Sequence, residues 1–357
     1  MAIEDEIKEI EDEIRKTPYN KASQHHIGKL KAKLAKLKEK QFKAAKVGKA
    51  QALGYGLRKS GDATVVLVGF PSAGKSTLLN ALTNAKSEIG AYEFTTLKVV
   101  PGAMDYRGAK IQLFDVPGLI SGAAAGKGRG KEVLAVVRNA DLIIILVDAH
   151  KPEQLEKIKR ELYEANIRID QKHPNVTIKP KAIGGVQLDK VSKVDLTRET
   201  IVSILSEFSI FNAHVIIRES ITLDQFVDVV SGNRMYVPSI AVLNKTDEVP
   251  KSTIKPDIEI SAKHGTGLDE LRELIYKKLR FIQIFMKKPG EEADLDEPLI
   301  TRQGATVEDI ARKLHKSFSA RFRYAQVWGK SAKHPAQRVG LKHKLKDNDI
   351  LMLTLKE

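Results

Sequence analysis

The chain has 357 residues, 42% of them apolar, and a formal net charge of +15, a length and composition that support two or three folded domains and exclude a disordered chain. It contains no run of about 18 apolar residues and opens on the acidic stretch 3–14, so neither a membrane span nor a secretory leader is expected, and a cytoplasmic protein with no membrane partner is. Zero cysteines exclude disulfides, thiolate catalysis and cysteine-based zinc sites.

Ile3, Ile7, Ile10 and Ile14 recur at helical spacing, and Thr17-Pro18 ends that pattern. A second helix is predicted from Ser23 to about Phe42, with Ile27, Leu30, Leu34 and Leu37 on one face. Residues 1–14 carry seven acids against Lys8, whereas 15–59 carry fourteen Lys/Arg against Glu39 alone. Opposite charges and facing apolar stripes predict a helical hairpin whose outer basic side stays free. The glycines of 43–62 read as a connector.

An apolar run, 64–68, leads into Gly69-Phe70-Pro71-Ser72-Ala73-Gly74-Lys75-Ser76, and the helical pattern of 77–82 follows, starting with Thr77. A glycine-rich turn between a buried strand and a helix N-terminus is a phosphate grip. Its backbone N–H groups wrap phosphates, Lys75 reaches the β- and γ-phosphates, and Ser76 ligates Mg²⁺. Next come a loop, 89–97, containing Thr95 and Thr96, and a strand, 97–100. A second strand, 110–114, ends on Asp115-Val116-Pro117-Gly118 and so delivers Asp115 to the edge of the sheet where ligands of open α/β sheets bind. Gly122, Gly126, Gly128 and Gly130 make 122–130 a loose loop.

The run 141–148, DLIIILVD, reads as a parallel strand buried on both faces. Its next counterpart is 239–243. The intervening 149–237 far exceeds the dozen or so residues a parallel crossover needs, so an αβ insertion is predicted at about 166–220. Helices near 152–165, 197–208 and 222–230 and strands near 176–179 and 213–218 fill the gap. Asn244-Lys245-Thr246-Asp247 follows the 239–243 strand, Ser261-Ala262-Lys263 caps a short strand at 258–260, and 267–280 is an amphipathic helix. After a linker, 287–298, a helix from Val307 with Thr306 as N-cap and strands near 321–328 and 349–355 form a small module. The predicted domains are thus 1–62, 63–287 and 288–357.

The later motifs choose the base. A carboxylate at Asp247 can accept both N1–H and N2–H of guanine, a donor pair that adenine lacks, while Lys245 covers the base and the Ser261-Ala262-Lys263 backbone approaches the guanine oxygen. GTP and GDP are therefore the expected ligands, which sets aside an ATP-dependent small-molecule kinase. Asp115 is expected in the Mg²⁺ shell, Gly118 to sense the γ-phosphate, and a threonine of the Thr95-Thr96 pair to complete the metal site. Hydrolysis would rest on electrostatic positioning by Mg²⁺ and Lys75. Leu119 stands where many GTPases place the glutamine that orients water, so a slow intrinsic rate is expected; Lys127 and Arg129 read as a basic solvated loop, with a catalytic contribution from either as the alternative.

With these motifs in hand, the chain resembles the Drg (developmentally regulated GTP-binding) family of the Obg–HflX group. The resemblance runs over nearly its whole length, through NKAS, HHIGKLKAKLAKL, GFPSAGKSTLLN, EFTTL, DVPGLISGAAAGKGRGKEV, NKTD and YAQVWGKSAKHPAQRVG. It implies a Ras-like G domain carrying an inserted αβ subdomain, an N-terminal helical domain and a C-terminal TGS module of β-grasp, ubiquitin-like fold. It also selects Thr96 over Thr95 as Mg²⁺ ligand. Members of the group often use a potassium ion held by a phosphate-loop asparagine; this chain has Ser72 at that position, and a hydroxyl can ligate potassium. Association with translation and ribosomes, and a dedicated stabilising partner protein, are implied as well.

A second basic block, 311–346, carries eleven Lys/Arg and no acid, interleaved with Phe318, Phe322, Tyr324 and Trp328. Basic segments 15–59 and 311–346 flanking a near-neutral middle fit docking arms for ribosomal or other RNA. The expectation is a monomeric GTP-hydrolysing switch. The alternative is an RNA-binding scaffold with structural nucleotide and vestigial turnover.

Overall fold

The computed structural model describes residues 3–47, 61–83, 100–115, 137, 139–191, 194–249 and 254–356. The chain divides into two compact units, 1–54 with 162–236 and 55–161 with 237–357. It begins with helices α1 (Ile3–Lys16) and α2 (Gln24–Val47). Ile7 and Ile10 of α1 pack on Leu30 and Leu37 of α2, with Ile14 and Leu34 at the margin. The expected charge pairing is present, Lys33 Nζ lying 2.8 Å from Glu6 and Lys38 Nζ 2.7 Å from Glu11. Asn20 Oδ1 accepts from the Ala22 and Ser23 N–H groups and shapes the turn between them. Helix α2 runs on to Val47, so the start of the predicted connector is helical; residues 48–60 lie outside the described residues.

Strand β1 (Ala63–Val68) is buried along its whole length, the phosphate loop follows, and α3 (Lys75–Leu82) starts at the loop's lysine. Strands β2 (Val100–Tyr106) and β3 (Ala109–Asp115) form an antiparallel hairpin, and β4 (Leu142–Asp148) is the predicted doubly buried strand. β1 pairs in parallel with both β3 and β4, as continuous apolar strands do at the centre of a covered sheet. Helix α4 (Gln154–Glu164) and strand β5 (Ile167–Ile169) then lead into the insertion.

Strands β6 (Val176–Pro180), β7 (Val186–Lys190) and β8 (Ala213–Ile217) make a three-stranded sheet in the order β6-β8-β7, with helices α5 (Arg198–Glu207) and α6 (Leu223–Ser231). The core of the insertion extends into the N-terminal helical hairpin. Ile27, Ala32 and Ala35 of α2 share one cluster with Ile201, Ile204, Val215 and Phe226, so the N-terminal helix completes it. The predicted free basic side of α2 is correspondingly engaged: Lys31 Nζ lies 2.6 Å from Asp224, and Lys36 Nζ donates to the Glu207 carbonyl at 2.6 Å. Within the same unit Asp228, buried, receives Arg168 Nε at 2.6 Å and Nη2 at 3.0 Å and Arg234 Nε at 2.6 Å.

After β9 (Met235–Val237), which pairs with β5, the chain returns through β10 (Ser239–Asn244) and β11 (Ile258–Glu259) to a six-stranded sheet ordered β11-β10-β4-β1-β3-β2. Leu78, Leu79 and Leu82 of α3 and Leu268, Leu271 and Ile275 of α7 (Leu268–Lys278) cover one of its faces. Arg280, with φ 56°, breaks the chain out of helix and into β12 (Phe281–Met286).

That strand lies before residue 288, yet it belongs to the C-terminal sheet. With β13 (Leu299–Arg302), α8 (Val307–Leu314), β14 (Phe322–Trp328), β15 (Gln337–Val339) and β16 (Asp349–Leu355) it forms a five-stranded sheet ordered β13-β12-β16-β14-β15. Ile282, Ile284, Ala325, Val327 and Leu351 pack against Val307 and Ile310 of α8. Thr306 and Asp309 cap that helix reciprocally, as the sequence predicted for Thr306. On the other face Phe281 and Ile300 join the core of the six-stranded sheet, and Arg302 Nη2 lies 2.7 Å from Asp141. Among the described residues no helix is long and apolar enough to cross a membrane.

Candidate functional site

The site is built at the C-terminal edge of the six-stranded sheet, where β1, β3 and β10 end on Val68, Asp115 and Asn244. Gly69, Phe70, Pro71, Ser72, Ala73 and Gly74 form the loop. An added Cβ at Gly69 would sit 2.5 Å from the Leu146 carbonyl oxygen, and one at Gly74, which has φ +93°, would collide with Asn244 Nδ2. Only glycine permits those approaches. Ser72 also has positive φ, 65°, which bends the loop back on itself.

Lys75 Nζ donates to the Gly69 and Phe70 carbonyls at 3.0 and 3.1 Å. Burial lowers its pKa and the charge of Asp115 partly offsets that, so an anionic ligand in the loop would meet a half-desolvated ammonium. Ser76 Oγ donates to Asp115 Oδ2 at 2.7 Å, bringing two of the predicted Mg²⁺ ligands together. The other oxygen, Asp115 Oδ1, is buried with no hydrogen-bond partner among the described residues. An orphaned carboxylate oxygen beside a hydroxyl is a donor set that fits a hard divalent cation. The third predicted ligand, Thr96, lies outside the described residues, as do Thr95, Gly118, Leu119, Lys127 and Arg129. Thr77 follows in the first turn of α3.

The segments predicted to recognise the base meet at Asn244. Its buried side chain donates through Nδ2 to the Ala73 carbonyl at 2.9 Å and accepts through Oδ1 from the Ala262 N–H at 3.0 Å. Asn244 therefore rivets the phosphate loop to the Ser261-Ala262-Lys263 segment, a structural role the motif alone does not state. Thr246 Oγ1 donates to the Ile260 carbonyl at 3.0 Å and ties the Asn244–Asp247 segment to the residue just before Ser261. The Asp247 carboxyl is held below its ordinary range, first by a hydrogen bond from Ser261, and His264 Nε2 lies 3.4 Å away. It is thus ready as an anionic acceptor.

Lys245 adopts φ 65°, and its Nζ lies 2.6 Å from Asp148 Oδ2. The backbone N–H of His150 donates to Asp148 Oδ1 at 2.9 Å, and the His150 ring nitrogen lies 2.8 Å from the same oxygen. Burial alone would raise the Asp148 carboxyl, but the hydrogen bonds from Lys245 and His150 and the Lys245 charge outweigh it and hold the pKa at about 2. Asp148 and His150 had no role in the sequence pattern. Their signal was only a position, directly after a buried strand.

Residues 64–179 match the family described as 50S ribosome-binding GTPase, 183–281 the C-terminal region of the MMR_HSR1 domain, and 282–354 the TGS domain. The TGS match begins within β12. The chain is 55% identical to an uncharacterized GTP-binding protein of Methanocaldococcus jannaschii over all of this chain and 94% of that one. It is 43% identical to Developmentally-regulated GTP-binding protein 2 of Bos taurus over the full length of both. Among solved structures it is similar to the Schizosaccharomyces pombe YchF GTPase, at 14% identity and TM-score 0.45, over 83% of this chain and 99% of that one.

Proposed function

Because the chain belongs to the developmentally regulated GTP-binding (Drg) protein family, with a P-loop G domain and a TGS domain, we propose that it is a slow GTP hydrolase acting as a ribosome-associated switch. The observation that carries the hydrolase is the convergence at one sheet edge of Lys75, the Ser76–Asp115 pair with its orphaned oxygen, and the Asn244-riveted segment that presents Asp247. Ser76, Asp115 and Thr96 would hold Mg²⁺, which when bound neutralises charge on the β- and γ-phosphate oxygens. Lys75 leaves the loop carbonyls for the phosphates, and the loop N–H groups orient them. Asp247 accepts the two guanine donors while Lys245 lies along the base. Water attacks the γ-phosphorus, the bond to the β–γ bridging oxygen breaks, and GDP and phosphate leave.

The apolar side chain of Leu119 has no group with which to orient that water, so the rate is low until a backbone group, potassium at a site including Ser72, or a partner supplies the missing polarity. The ribosome part of the proposal is supported by the acid-free basic block 311–346 and by the description of the matched family. Within 15–59 several lysines already have intramolecular partners, which moves the weight of RNA docking to the C-terminal block. The dedicated partner protein and the monomeric state belong to the same proposal.

The test is multiple-turnover phosphate release with Mg²⁺, in potassium or sodium, with and without ribosomes, beside co-sedimentation with ribosomes in GDP and in a non-hydrolysable GTP analogue. Expected are turnover lost in Lys75→Ala, stimulation by ribosomes, and tighter co-sedimentation with the analogue. No turnover under any condition with equal binding in both nucleotides would favour the scaffold that Leu119 also permits. Unchanged GTP affinity in Lys75→Ala would remove the nucleotide assignment.

A further inference from the structure

We propose that the open face of the C-terminal sheet is a stacking platform for unpaired RNA, an inference that rests on the RNA-docking part of the function proposed above. Strand register defines the face. Phe285 stands beside Ile350, Ile350 opposite Trp328, Met352 opposite Gln326, Thr354 opposite Tyr324, and Gln326 opposite Arg338. The alternate residues, Ile284, Leu351, Val327, Ala325 and Val339, point the other way into the core under α8. One end of the open face, at Phe281 and Ile300, is taken up by the G domain. Farther along, Phe285, Tyr324, Trp328, Ile350 and Met352 are only partly buried and Arg338 is exposed.

Three aromatic rings on one half-open sheet face exceed what a solvated face needs. Two of them are attended by cations: Lys287 Nζ lies 5.1 Å from the Trp328 ring centroid and Arg338 Cζ 4.6 Å from that of Tyr324. No carboxylate stands among the facing positions named, and the block 311–346 holds eleven Lys/Arg without an acid. Long cations over rings can swing to phosphates when a base takes their place, so one residue pair serves a base and its backbone charge together. Tyr324 and Trp328, four residues apart on β14, are separated by about 13 Å, enough for each ring to take a separate base. A duplex presents its bases already stacked and unreachable by such rings, so the chemistry selects single strands. Tyr, Trp and Arg also suit protein interfaces, but two ring-attending cations with no carboxylate among these facing positions favour a polyanion over a protein surface of mixed charge.

Trp328 is the sole tryptophan of the chain, which makes the test direct. The full-length protein is titrated at moderate salt with a 12-nucleotide single-stranded RNA and with a duplex of the same length, reading Trp328 emission and the anisotropy of labelled RNA. Saturable quenching by the single strand and weaker, unquenched binding of the duplex are expected. Trp328→Ala and Tyr324→Ala should each weaken single-strand binding about tenfold with GTP turnover unchanged. Trp328→Phe should keep most of the affinity, and Arg338→Glu, an exposed change tolerated by the fold, should weaken binding about fivefold. RNA bound without quenching, equal affinity for both forms, or wild-type affinity in Tyr324→Ala and Arg338→Glu would overturn the platform. If those variants still co-sediment with ribosomes like the wild type, the platform alone fails. If the wild type itself does not co-sediment, the docking proposal beneath it fails.

Discussion

At the scale of single residues, Asn244 and Asp148 at the nucleotide edge each answer a backbone group or charge that would otherwise stand alone. Asn244 satisfies the Ala73 carbonyl and the Ala262 N–H, so Asn244→Ala leaves both without a partner. In the nucleotide-free protein this should cost about 2–4 kcal/mol of unfolding free energy, measured by urea denaturation; a loss below about 0.5 kcal/mol would mean the rivet carries nothing. Asp148 makes a different prediction because its effect depends on pH. Its folded pKa, about 2, lies below the ordinary 3.8, so the carboxylate stabilises the fold fully above about pH 5 and loses that contribution as pH falls from about 4 toward 2. Asp148→Asn should therefore be less stable than wild type by about 1–2 kcal/mol at pH 7, after allowance for the partly exposed Lys245. The gap should narrow at pH 3.5. A gap that stays constant with pH would detach Asp148 from the ion pair.

At the scale of elements, the β2–β3 hairpin spans the G domain. Val100 pairs with Asp115 at the nucleotide edge, and Tyr106 pairs with Ala109 at the opposite end. There the turn takes φ 47° at Arg107 and 77° at Gly108, the signs a two-residue hairpin turn demands. Tyr106 Oη donates to Glu273 Oε2 at 2.9 Å, and the Arg107 carbonyl accepts Gln283 Nε2 at 2.9 Å. An added Cβ at Gly108 would lie 2.9 Å from Pro298 Cγ, whereas at Gly232, which also has positive φ, it would meet nothing within 4 Å. Both alanine variants pay left-handed strain of about 1 kcal/mol, but Gly108→Ala should lose measurably more because Pro298 must also move. Equal shifts in thermal midpoint for the two would show that the turn is not pressed against the C-terminal sheet.

At the scale of the whole molecule, sequence neighbours are not structural neighbours. Residues 1–54 form a unit with 162–236, and 55–161 with 237–357. Helix α2 is wedged between two partners, giving Leu30 and Leu37 to α1 and Ile27, Ala32 and Ala35 to the insertion. Gly28 allows the close approach, for an added Cβ there would sit 3.0 Å from Thr200 Cγ2. Deleting residues 1–47 should uncover Ile201, Ile204 and Phe226. Enhanced binding of a hydrophobic dye and rapid proteolysis within 170–230 are expected, and a truncated protein that resists protease like the full chain would show that the insertion folds by itself.

Much was legible in the residues because it is local. The phosphate loop, the doubly buried strand Leu142–Asp148, the Thr306 cap and the hairpin charges of α1 and α2 follow from spacing, turn chemistry and charge within a few residues of one another. The second apolar face of α2 was not, because Ile27 shares the helical spacing of Leu30, Leu34 and Leu37 yet packs on the insertion, and Ala32 and Ala35 carry almost no hydrophobic signal although Ala32 is wholly buried. Short strands such as Ile167–Ile169, Val186–Lys190 and Gln337–Val339 carry too little pattern to stand out, and β12 was masked by the helix running into it. The ion pair of Lys245 with Asp148 and the clasp of Asn244 between two loops join residues 97 and 171 positions apart. Sequence by itself determined which ligand the edge is built for, since that chemistry resides in residue types at short spacing. Tertiary structure alone decided what holds those residues in place, because the partners of a buried polar group are chosen by the fold and not by the chain.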